Sequence, residues 1–147
     1  MMRPTQAGRT EYPRFLAIPT RWMDNDIYGH VNNVAYYSYF DTVVNEHLIA
    51  EGGLDIHAGP AIGLVVETRC LFNRALSFPQ LIDAGLRVSK LGHSSVTYDI
   101  GLFERGSDAP SATGYFVHVW VERSTRRPTA IPAAIRAALA PLQVRNR

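Results

Sequence analysis

A single cysteine, Cys70, among 147 residues closes no disulfide within the chain, so packing rather than covalent staples must hold the fold. The opening Met-Met-Arg-Pro-Thr lacks the apolar stretch of a signal peptide, and with the lone cysteine this leads us to expect a reducing, cytoplasmic setting. Charge of one sign is also lacking. Fifteen Lys and Arg against 13 Asp and Glu leave a net charge of +2, and the basic residues are scattered, which argues against a groove that tracks nucleic-acid phosphates. Long hydrophobic runs are missing as well, since stretches such as Ala61 to Val66 fall far below the roughly 20 residues a membrane-spanning helix needs. There is no Gly-x-Ser-x-Gly elbow, no His-Glu-x-x-His, no phosphate-cradling glycine loop and no dinucleotide fingerprint. These absences exclude the usual serine hydrolases, zinc peptidases, nucleotide hydrolases and dehydrogenases.

What is present suffices for one core: 46% of the residues are apolar, and the length is that of a single domain. Residues 1 to 12 are polar and read as a loose arm, followed by a strand from Arg14 to Trp22. From Asn33, the residues Val34, Tyr37, Phe40, Val44 and Leu48 recur at the helical spacing of three and four, and Gly52-Gly53 supply a stop. Few positions of this 33 to 50 helix are charged, so it is expected to be buried. Ala61 to Asn73 has the composition of a long strand covered on both faces. Three more strands are expected over Leu81 to Leu91, Ser95 to Glu104 and Ala112 to Arg123, joined by connectors long enough only for hairpins. A short helix from Pro132 to Ala140 and a frayed tail from Gln143 end the chain. One greasy helix and about five antiparallel strands bury their apolar surface only if the sheet curls around the helix, an α+β arrangement.

The chemistry concentrates in residues 20 to 40, where Asp24-Asn25-Asp26-Ile27-Tyr28-Gly29-His30-Val31-Asn32-Asn33 leads into the aromatic start of the long helix. A calcium-loop reading fails because the fifth position is Tyr28 and the twelfth is Ala35, where oxygen ligands belong. A transition-metal site from Asp24, Asp26 and His30 lacks an identified further partner. Cys70 sits in an apolar strand, where a structural thiol is the expected reading. A carboxylate beside a helix N-terminus remains. Free N–H groups and the partial positive charge there stabilise a developing oxyanion while the acid attacks or activates water, which suits acyl transfer.

Residues Arg21 to Asn33, with Tyr36 and Tyr39-Phe40 behind them, resemble the signature of hotdog-fold acyl-CoA thioesterases of the 4-hydroxybenzoyl-CoA thioesterase-like type. The likeness extends over about residues 14 to 125, in the order of elements and in the Leu91 to Val96 turn. It implies one hotdog domain over residues 1 to 147, with a five-stranded antiparallel sheet wrapped around the long helix and a short helix at about 132 to 140. It further implies that Asp26 is the catalytic carboxylate, base or nucleophile, and that the helix start near Asn33 polarises the thioester carbonyl. Tyr28, His30, Asn32 and Ser95 are the residues expected to touch substrate. Asp24 is expected to orient the loop or to bond Arg21, Tyr36 and Tyr39 to be core aromatics, and Glu46 to be a surface or interface charge. Arg123, Arg126 and Arg127 either meet nucleotide phosphates or are simply solvated. The resemblance implies an acyl-CoA substrate with no cofactor beyond the coenzyme A it carries, and assembly as a homodimer or homotetramer. Two other readings stay open: a non-catalytic acyl-thioester binding module, and an enoyl-thioester hydratase or dehydratase using His30 with an acid.

Overall fold

The first strand, β1 (Arg14–Pro19), stops short of Trp22 because two local features end it. Pro19 has no N–H to offer a neighbouring strand, and the Asp24 carboxylate accepts the Arg21 N–H at 2.9 Å, curling Trp22–Asp24 into a 3-10 turn. This computed structural model describes residues 7–144. Helix α1 (Asn33–Ala50) follows the expected span, with the Asn32 side chain accepting the Val34 N–H at 3.0 Å as its cap. Then come β2 (Ala61–Phe72), β3 (Leu81–Leu91), β4 (Ser95–Glu104), β5 (Ala112–Glu122) and the short helix α2 (Ala133–Leu139).

The five strands form one antiparallel sheet in the order β1-β3-β4-β5-β2. Alternation along β4 sends Val96, Tyr98, Ile100 and Leu102 into the same core as Phe40, Val43, Val44 and Leu48 of α1, with Ile135 and Leu139 of α2 closing one side. This is the hotdog arrangement, an α+β fold in which the sheet wraps a long helix. At its tightest contact β5 carries Gly114. A Cβ there would lie 2.0 Å from the Arg69 carbonyl oxygen of β2 and 2.6 Å from the Phe40 ring, so the helix and both strands meet where no side chain fits.

Histidine 118 on β5 is 2% exposed and walled by the rings of Phe116, Tyr98 and Trp120, with centroids at 4.8, 5.5 and 6.1 Å. Its Nδ1 has no hydrogen-bond partner among the described residues. Burial pushes its pKa down from the ordinary 6.5 to about 4. The folded state therefore keeps the ring neutral while the unfolded chain protonates it below 6.5. Stability from this site is whole above 6.5 and drains as pH falls toward 4. At about 1.4 kcal/mol per unit the loss is about 3 kcal/mol. Urea unfolding at pH 7.5 and pH 4.5 should show wild type losing that much more than His118→Leu; equal losses would refute the assignment.

Three sequence expectations need correction. The strand expected to be covered on both faces is an edge strand here, with Val65 47% exposed and Val66, inside the register shift between Val65 and Glu67, 60% exposed. Composition reports that a strand seeks cover, not whether the same chain provides it. The loose arm is docked from Arg9 onward: its guanidinium pairs with Asp83 at 2.9 Å and donates to the Ser107 carbonyl at 2.7 Å, and Tyr12 is buried edge-on against Phe15 and Phe103. Residues 1 to 6 of that arm lie outside the described residues. The tail expected to fray from Gln143 is instead tied to β3, with Gln143 bridged to Val88 and the Val144 N–H donating to the Val88 carbonyl at 3.0 Å. Residues 145 to 147 lie outside the described residues.

Candidate active site

Between β1 and α1 the chain makes a compact turn centred on Asp26. Its N–H donates to the His30 carbonyl at 2.9 Å, its carbonyl accepts the Gly29 N–H at 3.1 Å, and its Oδ1 accepts the Tyr28 N–H at 2.9 Å. Gly29 closes the turn at φ +81°, a left-handed conformation that side chains disfavour. Oδ2 of Asp26 has no protein partner among the described residues, and the half-buried side chain borders an open depression with Trp22, Met23, Ile27, Tyr28 and Asn32. Trp22, Ile27 and Tyr28 are 76%, 94% and 79% exposed, a dense group of bare apolar surface around one acid.

The helix start lies on the other side of this turn. Its amides divide the work: the Val34 N–H is taken by the Asn32 side chain and the Ala35 N–H by the Asn32 carbonyl at 2.9 Å. The Asn33 N–H has no acceptor among the described residues. Asn33 borders a second depression with Val31, Tyr36, Phe72, Arg74 and Ala75. An amide without an acceptor at a helix N-terminus carries both a donor and the partial positive charge that a developing oxyanion needs.

Beneath the turn, Asp24 is 3% exposed and fully engaged. Oδ2 accepts the Arg21 N–H at 2.9 Å and the Tyr39 hydroxyl at 2.7 Å, while Oδ1 accepts the Arg21 guanidinium at 3.0 and 2.9 Å. Burial by itself would raise its pKa, but the Arg21 N–H, the Tyr39 hydroxyl and the guanidinium outweigh that and hold the carboxyl below its ordinary value. Burial and this anion together push the Tyr39 hydroxyl pKa up, so it stays a donor. The bond from Asp24 to Arg21 was legible in the sequence; the one from Tyr39 was not. Residues 15 apart meet only because the helix folds back over the turn, and no local spacing announces that.

The structure gathers Asp26, Tyr28 and Asn32 around one depression, with Asn33 on the next and His30 exposed on the same turn. It sets Ser95 apart. Leu81 pairs with Pro19 at the loop end of the sheet, and Leu91 pairs with Val96 at the other, which places Ser95 roughly 30 Å from the turn at about 3.3 Å per strand residue. Glu46 sits about 20 Å along α1 from Asn33, at 1.5 Å per residue, with both carboxylate oxygens on Arg14 at 2.9 and 2.8 Å. Arg123 is spent on the Gly59 and Ile56 carbonyls at 2.6 and 3.0 Å, whereas Arg126 and Arg127 are exposed beside it. Tyr36 and Tyr39 are buried core aromatics, as expected. Burial raises the Cys70 thiol to about 12, which leaves no reactive thiolate at neutral pH. Among the described residues no group of three or more His, Cys, Asp or Glu is placed to share a metal ion, and no helix is long and apolar enough to cross a membrane.

A family model described as the thioesterase-like superfamily matches residues 20–139. No protein of curated function matches the chain by sequence. Among solved structures, the PA5185 protein of Pseudomonas aeruginosa strain PAO1 is 54% identical, with a TM-score of 0.93 over 95% of this chain and 98% of its own. The PA2801 protein of Pseudomonas aeruginosa, for which a thioesterase activity has been suggested, is 29% identical, with a TM-score of 0.79 over 86% of this chain and 97% of its own. The gentisyl-coenzyme A thioesterase BH1999 is 22% identical and shares the fold, with a TM-score of 0.75 over 86% of this chain and all of its own.

Proposed function

Because this chain belongs to the thioesterase-like superfamily, we propose that it hydrolyses an acyl-CoA thioester to a carboxylic acid and free coenzyme A, with Asp26 as the acting carboxylate. Two observations support this reading: a half-buried acid on the turn before α1 has one oxygen without a partner, and the first amide of α1 has no acceptor, both among the described residues. In the general-base form, Asp26 takes a proton from water as its oxygen bonds to the acyl carbon. The carbonyl oxygen gains charge against the Asn33 N–H, the C–S bond breaks, and the proton passes to the departing thiolate. In the nucleophilic form, Asp26 bonds to the acyl carbon itself, the thiolate leaves, and water cleaves the resulting anhydride. Both forms use a carboxylate, an amide and water, and neither calls for a metal or redox cofactor.

Tyr28 and Asn32 line the depression beside the acid, His30 is exposed on the same turn, and Ser95 lies too far away to touch the same substrate within one copy. Assembly resolves that distance. The exposed edge of β2 offers its backbone and Val65 and Val66 to a second copy, and an edge paired with itself about a two-fold axis runs antiparallel. That places the Ala61 end of one copy, with Arg126, Arg127 and the hairpin bearing Ser95, toward the Phe72 end of the other, where the acid lies. The exposed arginines then stand where the nucleotide phosphates of coenzyme A arrive. A homodimer, or two such dimers, is the assembly this requires.

A panel of short, long and aromatic saturated acyl-CoA compounds, with released thiol trapped by a chromogenic disulfide, tests the reaction. Thiol release from at least one member is expected, and a saturated chain gives a hydratase nothing to act on. Silence across the panel, with binding retained, would turn the reading into that of a non-catalytic binder. Sedimentation of the same preparation should show a dimer or tetramer, and a monomer that turns over would remove the assembly half of the proposal.

A further inference from the structure

The turn that carries Asp26 is held together almost wholly by itself. Its three hydrogen bonds all close within residues 26 to 30, and its tip residues Ile27 and Tyr28 are almost wholly exposed. Where Asp26 stands relative to α1 is therefore decided by the flanks of the turn. On one flank the Asn25 side chain accepts the Phe78 N–H at 3.1 Å, and Val31 is buried with its N–H on the Leu76 carbonyl at 2.7 Å. Those ties reach the loop before β3. The tie that reaches α1 is Asp24: its carbonyl accepts the N–H of Asn32, the helix cap, at 2.8 Å, and its carboxylate accepts the Tyr39 hydroxyl from the second turn of the helix.

We propose that the Asp24 carboxylate and the Tyr39 hydroxyl form a positioning pair, which fixes the distance between the Asp26 carboxylate and the open Asn33 amide without touching substrate. The proposal rests on the reading of Asp26 as the acid of the site. A carboxylate in this position is a demanding choice, because burying it is costly unless every oxygen is satisfied. Four donors satisfy it, three from Arg21 at the start of the 3-10 turn and one from Tyr39 of α1, so the pair is strong only when that turn and α1 stand in one arrangement. Arg21 is 64% exposed in its side chain and compensates the charge from outside, while Tyr39 supplies the buried direction.

Asp24→Asn puts an amide donor against the Arg21 N–H and risks the fold, so the informative variant is Tyr39→Phe, which keeps the ring and removes one hydrogen bond. Its kcat is expected to fall about tenfold while KM stays within about twofold, as a small misplacement of a reacting group predicts. Amide exchange of residues 25 to 32 should accelerate about tenfold while that of residues 95 to 104 is unchanged, the size expected for one bond to a charged group. Both changes together support the pair. An unchanged kcat overturns it, as does a lower kcat with unaltered exchange of the turn. Asp26→Asn run alongside separates the two ideas: if that variant keeps full turnover, the assignment of the acid fails, whereas the exchange measurement still reports whether Tyr39 tethers the turn.

Discussion

Asp26→Asn should lower thioester hydrolysis by about a thousandfold while leaving affinity for a non-hydrolysable thioether analogue within about threefold. The substitution is well matched to the geometry. The Asn side-chain oxygen can still accept the Tyr28 N–H that Asp26 Oδ1 accepts, so the turn should keep its shape. What disappears is the negative charge and the basic lone pair on the oxygen that no donor claims among the described residues. A neutral amide neither takes a proton from water nor attacks a thioester, and the residual rate is what the helix amide and simple positioning supply. Thiol release by both proteins, with calorimetric titration of the analogue, checks the two halves separately. A variant within tenfold of wild type would mean that the acid is a turn-former and that the activity, if present, resides elsewhere.

The largest expected effect on stability lies where α1 crosses the sheet. Phe40 is fully buried, and its ring edge fills the space above Gly114. Phe40→Ala should cost about 4 kcal/mol, the transfer of the ring plus the cavity that a sheet on one side and a helix on the other cannot collapse. Gly114→Ala should cost about 3 kcal/mol for the opposite reason, because the added methyl meets the Arg69 carbonyl at 2.0 Å and that oxygen belongs to the backbone of β2. The two variants should not rescue one another. Removing the ring relieves the 2.6 Å contact but leaves the carbonyl in place. Ser38→Ala, on the exposed side of α1, serves as the control and should stay within about 0.5 kcal/mol. Denaturant midpoints for wild type, the three single variants and the double variant at pH 7.5 decide the matter, and full recovery in Phe40→Ala/Gly114→Ala would show that the ring, not the strand, sets the limit.

Much of this fold was written locally. The three-and-four spacing from Val34 to Leu48, with Asn32 before it and Gly52-Gly53 after, gave α1 because helix period and caps are properties of consecutive residues. The alternation from Val96 to Leu102 gave β4, and the short connectors on either side gave antiparallel neighbours. What was hidden depends on residues far apart in sequence. Strand order places β2 at an edge beyond β5, and nothing in its apolar composition says that its own chain leaves it uncovered there. The acid of the candidate site was legible as a motif, whereas the hold of Tyr39 on Asp24 was not. The distance to Ser95 was hidden too, since a signature groups residues by resemblance and only register converts them to ångströms.

Bare side chains around Asp26 have an electrostatic consequence. Trp22, Ile27 and Tyr28 are wet when the turn is empty, and bulk water then mutes the field of the carboxylate. If the proposed function holds, an acyl chain resting on them would displace that solvent, and the same charge would act on the carbonyl dipole through a medium of lower permittivity. On that proposal the greasy collar would work as a dimmer switch that the ligand itself turns up, a longer chain drying more of it and making the acid more forceful at the bond to be broken.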